Sequence, residues 1–409
     1  MKGQLAQMQI SEKAKSIPEA LSVYMNNIVY EMKRRGKKVK VLSLGEAFFD
    51  IPFFPFGEEE FEKGCHYSES RGLPELRKSI SNYYWRTYHA SVDDKDEILI
   101  SAGSKALIFM AFQAVLNCGD EVLIHEPAWL SYTEEVKLAD GVPRFIPYDC
   151  PVEGFERYFS EKTKMVVICN PNNPVGRIYR KEELEKIYSI CRPRGIYVLV
   201  DEAYSDFAAG DGFTSMINIV PDKDGVIVVN SLSKNLGISG WRIGYVISTS
   251  ELIYHILKLN QHLITCPPTL LSLYLAQHYE CMVSTCVPQA KMVARKRQLV
   301  TEYMQSIGLR PLEGAATFYI FMDIGAYKRS SLDLSLYLLT KHGISVVPGV
   351  AYGESTDRFI RLSVGTEKME DIKECLKTLN KVISEDEYDG AFVETELATL
   401  HMDRFVIKK

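Results

Sequence analysis

The sequence predicts an α/β fold: a large domain with a mostly parallel mixed sheet sandwiched by helices, then a smaller α+β domain. Three observations lead there. Short apolar runs alternate with helical periodicity from about residue 97 to residue 229. The runs are apolar throughout rather than at every second residue, as strands covered on both faces are. The length, 409 residues, is more than a single domain usually holds.

The elements follow in order. Residues 19–35 have the spacing of an amphipathic helix. Glu97 to Ile100 reads as a strand, and Lys105 to Asn117 as a helix ended by Gly119. Val122 to Ile124 is a second strand and Trp129 to Lys137 a helix; Met165 to Cys169 is a strand and Lys181 to Cys191 a helix. Ile196 to Val200 and Val226 to Val229 are two further strands. From about 250 to Ser306 the pattern is mainly helical. Phe318 to Met322, Ile344 to Val347 and Phe359 to Ser363 then read as strands, with helices near 332–341 and 367–383 to cover them. The division expected is 1–49, a segment joining the small domain; 50–285, the large domain; 286–385, the small domain; and 386–409, an acidic then mixed extension to which the sequence gives no role.

Composition narrows the classes of function. Hydrophobic residues make up 46% and charged residues 25%, values of an ordinary globular protein. A formal net charge of -5 gives no field that favours nucleic acid or an anionic membrane. The basic run Lys33-Arg34-Arg35-Gly36-Lys37-Lys38 has no aromatic partners and reads as a solvated helix end. No apolar run approaches the roughly 20 residues of a membrane helix, and the start of the chain lacks a signal-peptide pattern. The nine cysteines are scattered and form no Cys-x-x-Cys pair, which suits reduced thiols in the cytoplasm. No histidine pattern suggests a metal site, so none is expected.

The chemistry collects after the strands, because ligands of open α/β sheets bind beyond the carboxyl ends of strands. After Ile100 comes Ser101-Ala-Gly-Ser104, which opens a helix; free N–H groups and the helix dipole there favour an anion, although any strand–helix turn can look alike. After Cys169 comes Asn170-Pro-Asn-Asn-Pro-Val-Gly176, a stiff loop bearing amides, or simply a structural turn. After Val200 comes Asp201-Glu-Ala-Tyr204, where the acid either caps the next helix or meets a cationic ligand atom. After Val229 comes Asn230-Ser-Leu-Ser-Lys234, with Arg242 eight residues on. Lys234 alone is an ordinary surface lysine. The four motifs together supply an anion cradle, amides, an acid with a tyrosine, and a lysine with an arginine. Pyridoxal phosphate needs that set: a lysine for its aldehyde, donors and an arginine for its phosphate, an acid for its pyridine nitrogen.

With those residues on the page, the chain resembles the class I/II aminotransferase family, fold-type I pyridoxal phosphate enzymes, from about Gly45 to about Gly365. The strongest motif is Ser231-Leu-Ser-Lys234 with Gly240-Trp-Arg-Ile-Gly244; Asn170-Pro-Asn-Asn-Pro174 and Asp201-Glu-Ala-Tyr204 follow. The resemblance implies that Lys234 bonds the cofactor's aldehyde. It implies that Arg242 and Ser231 hold the phosphate with Ser233 close by, and that Ala102, Gly103 and Ser104 form the phosphate loop. Asp201 would pair with the pyridine nitrogen; Tyr204 and Asn173 would reach the ring hydroxyl oxygen; Trp129 would stack on the ring. Tyr67 would reach the phosphate of a neighbouring subunit, so a homodimer with the active site at its interface is implied. Arg361 would grip the substrate α-carboxylate, with Gly45 and Asn173 beside it. Ala102 stands where many relatives carry a hydroxyl residue, and Val175 where threonine is common. Lys105 either adds charge near the phosphate or lies on the outer helix face.

The activity implied is ping-pong transfer of an amino group between an α-amino acid and a 2-oxo acid, with Lys234, Asp201 and Tyr204 as the catalytic residues. Its alternative is another reaction of the same cofactor on this fold: β- or γ-elimination, cyclisation or decarboxylation. The freed Lys234 amine would act as base and acid, its pKa lowered by Arg242 and the protonated ring. Phe48, Phe49, Phe53, Phe54 and Phe56 either line an apolar side of the pocket or serve packing.

Overall fold

The computed structural model describes residues 8–208, 212–325, 327–403 and 405. Its first long helix, Leu21–Arg34, buries Leu21, Tyr24, Met25, Ile28, Val29 and Met32, spaced three and four apart on one face. Gly36, at φ +75°, ends the helical segment in a conformation that favours glycine. β1 (Lys40–Val41) then lies parallel to a strand from the other end of the chain.

The main sheet has seven strands: β2 (Ile98–Ser101), β3 (Glu121–His125), β4 (Val142–Ile146), β5 (Thr163–Cys169), β6 (Tyr197–Asp201), β7 (Val226–Ser231) and β8 (Gly244–Ile247). Their order is β2-β8-β7-β6-β5-β3-β4. β8 pairs antiparallel with both neighbours, and the other pairings are parallel. Successive residues leave opposite faces of the sheet. Ile98, Ile100, Leu123, Val166, Ile168, Val198, Val200, Val226 and Val228 therefore enter one hydrophobic cluster. Leu99, Val122, Ile124, Met165, Val167, Leu199, Ile227 and Val229 enter another on the opposite face. That two-sided burial is why the strands read as unbroken apolar runs. Helix Ser104–Val115 lays Leu107, Ile108, Met110, Ala111, Phe112 and Val115 on the second cluster; each large side chain among them contributes about 1.5–3 kcal/mol of hydrophobic stabilisation.

In the main sheet two strands, β4 and β8, were not foreseen; outside it the two-residue strands Lys40–Val41 and Arg310–Pro311 were not foreseen either. β4 carries Pro143 and is partly exposed, as an edge strand is, so it lacks the apolar run that marks its neighbours. β8 begins at Gly244, the last residue of the glycine-containing motif, and continues beyond it. The predicted strand from Ile344 to Val347 is split as well. β11 (Ile344–Ser345) pairs with β1, whereas β12 (Val347–Pro348) joins a four-stranded antiparallel sheet in the order β12-β13-β10-β9, with β9 (Arg310–Pro311), β10 (Tyr319–Asp323) and β13 (Phe359–Ser363).

Helix Thr269–Ser306 runs through the expected 285/286 boundary. Tyr274, Leu275, Tyr279, Met282 and Cys286 pack on the large-sheet core; Ala290, Val300 and Met304 pack in the core that the small sheet shares with Leu21, Tyr24, Met25 and Ile28. In the C-terminal stretch, helix Gly390–Thr399 is capped by the Asp389 side chain and buries Val393 and Leu397 in that same core. Residues 1–7 of the N-terminal segment, and 404 and 406–409 of the extension, lie outside the described residues. Among the described residues, no helix is long and apolar enough to cross a membrane.

Candidate active site

Five parallel strands, β2, β3, β5, β6 and β7, deliver their carboxyl ends to one edge of the sheet, and the polar motifs follow there. After β7 the chain turns at once into the short helix Leu232–Asn235, and the Ser231 hydroxyl accepts from the Ser233 N–H at 3.3 Å, capping it. This turn places Lys234 inward, where its Nζ donates to the Gly45 carbonyl oxygen.

Burial pushes the Lys234 amine down to about 8. Glu46 opposes that shift, Arg361 and Arg242 add to it, and Asp201 opposes it. The depression expected from the sequence is therefore present in the chain alone, but its first cause is desolvation rather than Arg242.

Asp201 closes β6 and is buried. Its Oδ2 accepts from the Tyr132 hydroxyl at 2.6 Å and its Oδ1 from the Ala203 N–H at 3.1 Å. Burial raises its pKa; the bonds from Tyr132 and Ala203 and the charge of Lys234 pull the other way. Trp129 packs edge-on against Tyr132, ring centroids 5.3 Å apart. Lys105 settles over the Trp129 ring, Nζ 4.9 Å from its centroid, so its side chain turns toward the site rather than away along the outer helix face.

A second network joins Asn173, Tyr204 and Arg361. Asn173 Nδ2 donates to the Tyr204 hydroxyl at 3.3 Å, and Asn173 Oδ1 accepts from Arg361 Nη1 at 3.2 Å. Arg361, from β13, also donates from Nη2 to the Ser43 carbonyl at 2.9 Å, and its guanidinium lies 4.2 Å from the Tyr319 ring centroid and 5.2 Å from that of Tyr352. Its Nε is buried with no hydrogen-bond partner. Tyr204 and Tyr319 share a hydrogen bond at 3.2 Å, and burial raises the pKa of both.

The third cluster is an anion cradle. Arg242 has φ +56°, a strained value for a non-glycine residue. Its Nη1 donates to the Ser239 carbonyl at 2.9 Å and the Ser233 hydroxyl at 3.4 Å. Gly103, at φ +88°, precedes helix Ser104–Val115, and a Cβ there would stand 2.6 Å from Arg242 Nη2. The guanidinium thus lies against Gly103, just before the helix whose first N–H groups begin at Ser104, an arrangement that suits a phosphate. Among the described residues the chain holds, within one site, a desolvated amine, a buried carboxylate with no ion-pair partner, a guanidinium whose buried Nε is unpartnered, and this cradle. These are the groups that pyridoxal phosphate and a substrate carboxylate require.

Tyr67 is not brought to this group: it is 85% exposed. The phenylalanines divide. Phe54 stacks on His278 at 4.1 Å, and Phe49 packs beside Gly237 and Phe207, whereas Phe48 and Phe53 are exposed. The sequence reading missed Tyr132, Ser43, Tyr319 and Tyr352. Tyr132 was within reach, lying three residues after Trp129 on a predicted helix; the others come from distant segments. Among the described residues, no group of three or more histidines, cysteines or acids could hold a metal ion.

The family profile described as "Aminotransferase class I and II" matches residues 35–379. A probable aspartate/prephenate aminotransferase of Aquifex aeolicus is 32% identical over 384 residues, covering 87% of this chain and 93% of its own length. The solved structure of an aspartate aminotransferase from Thermus thermophilus with maleate is 26% identical, with TM-score 0.81, covering 93% of this chain and all of that one. That of an aromatic aminotransferase from Pyrococcus horikoshii is 28% identical, with TM-score 0.78, covering 88% of this chain and 99% of that one.

Proposed function

We propose how the residues of this chain, which belongs to the class I and II aminotransferase family, share the work of a pyridoxal phosphate-dependent transaminase. The enzyme moves an amino group between an α-amino acid and a 2-oxo acid by a ping-pong mechanism; elimination, cyclisation and decarboxylation are not favoured by the family it matches. Pyridoxal phosphate supplies the electron sink that receives the electron pair of the substrate's α C–H bond, and it carries the amino group between half-reactions.

Lys234 would hold the cofactor's aldehyde, and its free amine would be the base that takes the substrate's α-proton. What carries this reading is its half-buried amine, lowered to about 8 by desolvation and held against Gly45. Asp201 would pair with the ring nitrogen, where a cation would offset the burial penalty on its carboxylate. Tyr204 and Asn173 would hold the ring hydroxyl oxygen, and Trp129 would cover the ring. Arg242, Ser231, Ser233, Gly103, Ser104 and the Ala102 backbone hold the phosphate. Arg361 takes the substrate α-carboxylate, assisted by Gly45 and Asn173; Tyr319 and Tyr352 flank the guanidinium and limit its solvation.

We assign the chain to the cytoplasm and to a homodimer, in which Tyr67 reaches the neighbouring subunit's phosphate. Its exposure fits a residue whose partner lies on another chain. The domains are assigned as 50–285 for the large domain and 286–385 for the small one, with 1–49 a segment joining the small domain and 386–409 an extension. Lys234→Ala tests the core of this reading. The variant is expected to lose both amino-group transfer and the visible absorbance of the lysine-bound cofactor, and turnover retained with an amino acid and a 2-oxo acid would overturn the assignment.

A further inference from the structure

Helix Ser131–Leu138 buries Ser131, Tyr132, Glu135 and Val136. Three of these are small, aromatic or aliphatic; the fourth is a carboxylic acid. Glu135 is 6% exposed, and neither carboxyl oxygen has a hydrogen-bond partner among the described residues. An unpaired acid in such a place costs several kcal/mol relative to water if charged, so it stays neutral or acts through its charge. Glu135 lies one helical turn after Tyr132, on the same face, and Tyr132 is the residue that donates to Asp201.

We propose that Glu135 is a further positioning residue of the cofactor site, an unpaired acid whose charge state sets the electrostatic field at Asp201. The proposal rests on the reading that Asp201 faces the cofactor's ring nitrogen. Two groups act on Glu135 from neighbouring elements: Lys105, on the packed helix Ser104–Val115, favours its charged form, and Asp201, on β6, disfavours it. Charged groups on its own helix and on the packed strands β3 and β4 have partners of their own among the described residues. Glu121 on β3 and Arg144 on β4 bond each other at 3.0 Å, Glu134 and Lys137 on its own helix do the same at 3.0 Å, and the imidazole of His125 bonds Tyr179. Tyr132, its titratable helix neighbour, is held as a donor by Asp201. Burial dominates and lifts the Glu135 carboxyl to about 8. Below that pH the acid is neutral and Asp201 is the only negative charge of the group; above it, a second carboxylate appears behind Asp201 and strengthens the hold on a proton at the cation Asp201 faces.

Two measurements on the loaded enzyme test this. The first is stability against pH. A folded pKa raised above the unfolded value gives stability that is present at low pH and lost as pH rises from the ordinary carboxylate range to about 8. Glu135→Gln has no such loss, so its Tm should gain on the wild type by roughly 3 °C between pH 5 and pH 8. The second is the pH titration of the cofactor's visible band. Its midpoint should lie about half a pH unit lower in Glu135→Gln than in the wild type, and Glu135→Asp should restore part of the shift. Glu135→Met, which keeps the volume without the charge, should match the Gln variant in both and serves if Gln disturbs folding. Parallel stability curves and coincident midpoints for wild type, Gln and Met would overturn the proposal. Asp201→Asn separates this from the underlying reading. If it shifts the band while Glu135 variants do not, Glu135 is inert; if it does not shift the band, the placement of Asp201 itself fails.

Discussion

Tyr132 Oη donates to Asp201 Oδ2 at 2.6 Å, between two residues that are both almost fully buried. A short bond to a carboxylate in a desolvated site is among the stronger hydrogen bonds a protein makes. It orients Asp201 and favours its charged form, against the burial that favours the neutral one. Tyr132→Phe removes the donor and keeps the ring against Trp129. Loss of a hydrogen bond to a charged group costs about 1.5–3 kcal/mol. The expected result is cofactor affinity weakened on the order of tenfold to a hundredfold, with the fold retained, measured by titrating cofactor-free protein and following the visible band. Unchanged affinity would show that the bond does not serve the cofactor.

Arg361 presents a planar fork whose Nη atoms are already oriented by Asn173 and Ser43. Lysine keeps the charge but not the fork or the stacking on Tyr319. Arg361→Lys should lower kcat/KM for amino acids about a hundredfold, most of it in KM, while leaving the cofactor band in place. Steady-state kinetics beside an absorbance spectrum checks both halves.

The pH behaviour of Lys234 follows from burial. Its amine is lowered to about 8 in the cofactor-free chain, so it is uncharged at a pH where an exposed lysine remains an ammonium. Acylation of this one residue in cofactor-free protein should rise with pH and reach half its plateau near 8. The linkage has the opposite sign to that of Glu135. Because the folded pKa is depressed, the unfolded chain binds more protons between about 8 and 10.5, and stability rises with pH in that window. Thermal melts of cofactor-free wild type should therefore gain on Lys234→Met from pH 8 upward, and a constant difference would contradict the desolvated amine.

Tyr67 offers a test of assembly. If it serves a neighbouring subunit, a chain lacking Lys234 and a chain lacking Tyr67 complement each other when mixed. One site of the hybrid then combines an intact Lys234 with an intact Tyr67. Subunits of Lys234→Ala and Tyr67→Ala, unfolded together and refolded, should recover up to about a quarter of wild-type activity, the statistical share of competent sites in random dimers. No recovery above the two separate variants, in a sample shown to contain hybrids, would place Tyr67 outside the site.

Much of this was legible in the sequence because it is local. The strands of the large sheet are buried on both faces, so their apolar runs stand out without any knowledge of neighbours. Ser231-Leu-Ser-Lys234 and Asp201-Glu-Ala-Tyr204 sit within a few residues of strands whose ends could be read directly. β4 escaped because an edge strand with a proline carries no such run, and β11 and β12 because one apolar stretch was shared between two sheets.

The sequence by itself determined the fold class and the cofactor, since both rest on short-range motifs, their spacing and the family resemblance they carry. Tertiary structure alone decided what surrounds them. Tyr132 meets Asp201 across 69 positions, and Arg361 meets Asn173 across 188 and Ser43 across 318. Such contacts depend on strand order and on two sheets sharing one chain, which no local period encodes. Lys234, an ordinary lysine in the sequence, owes its lowered pKa first to the burial those contacts impose.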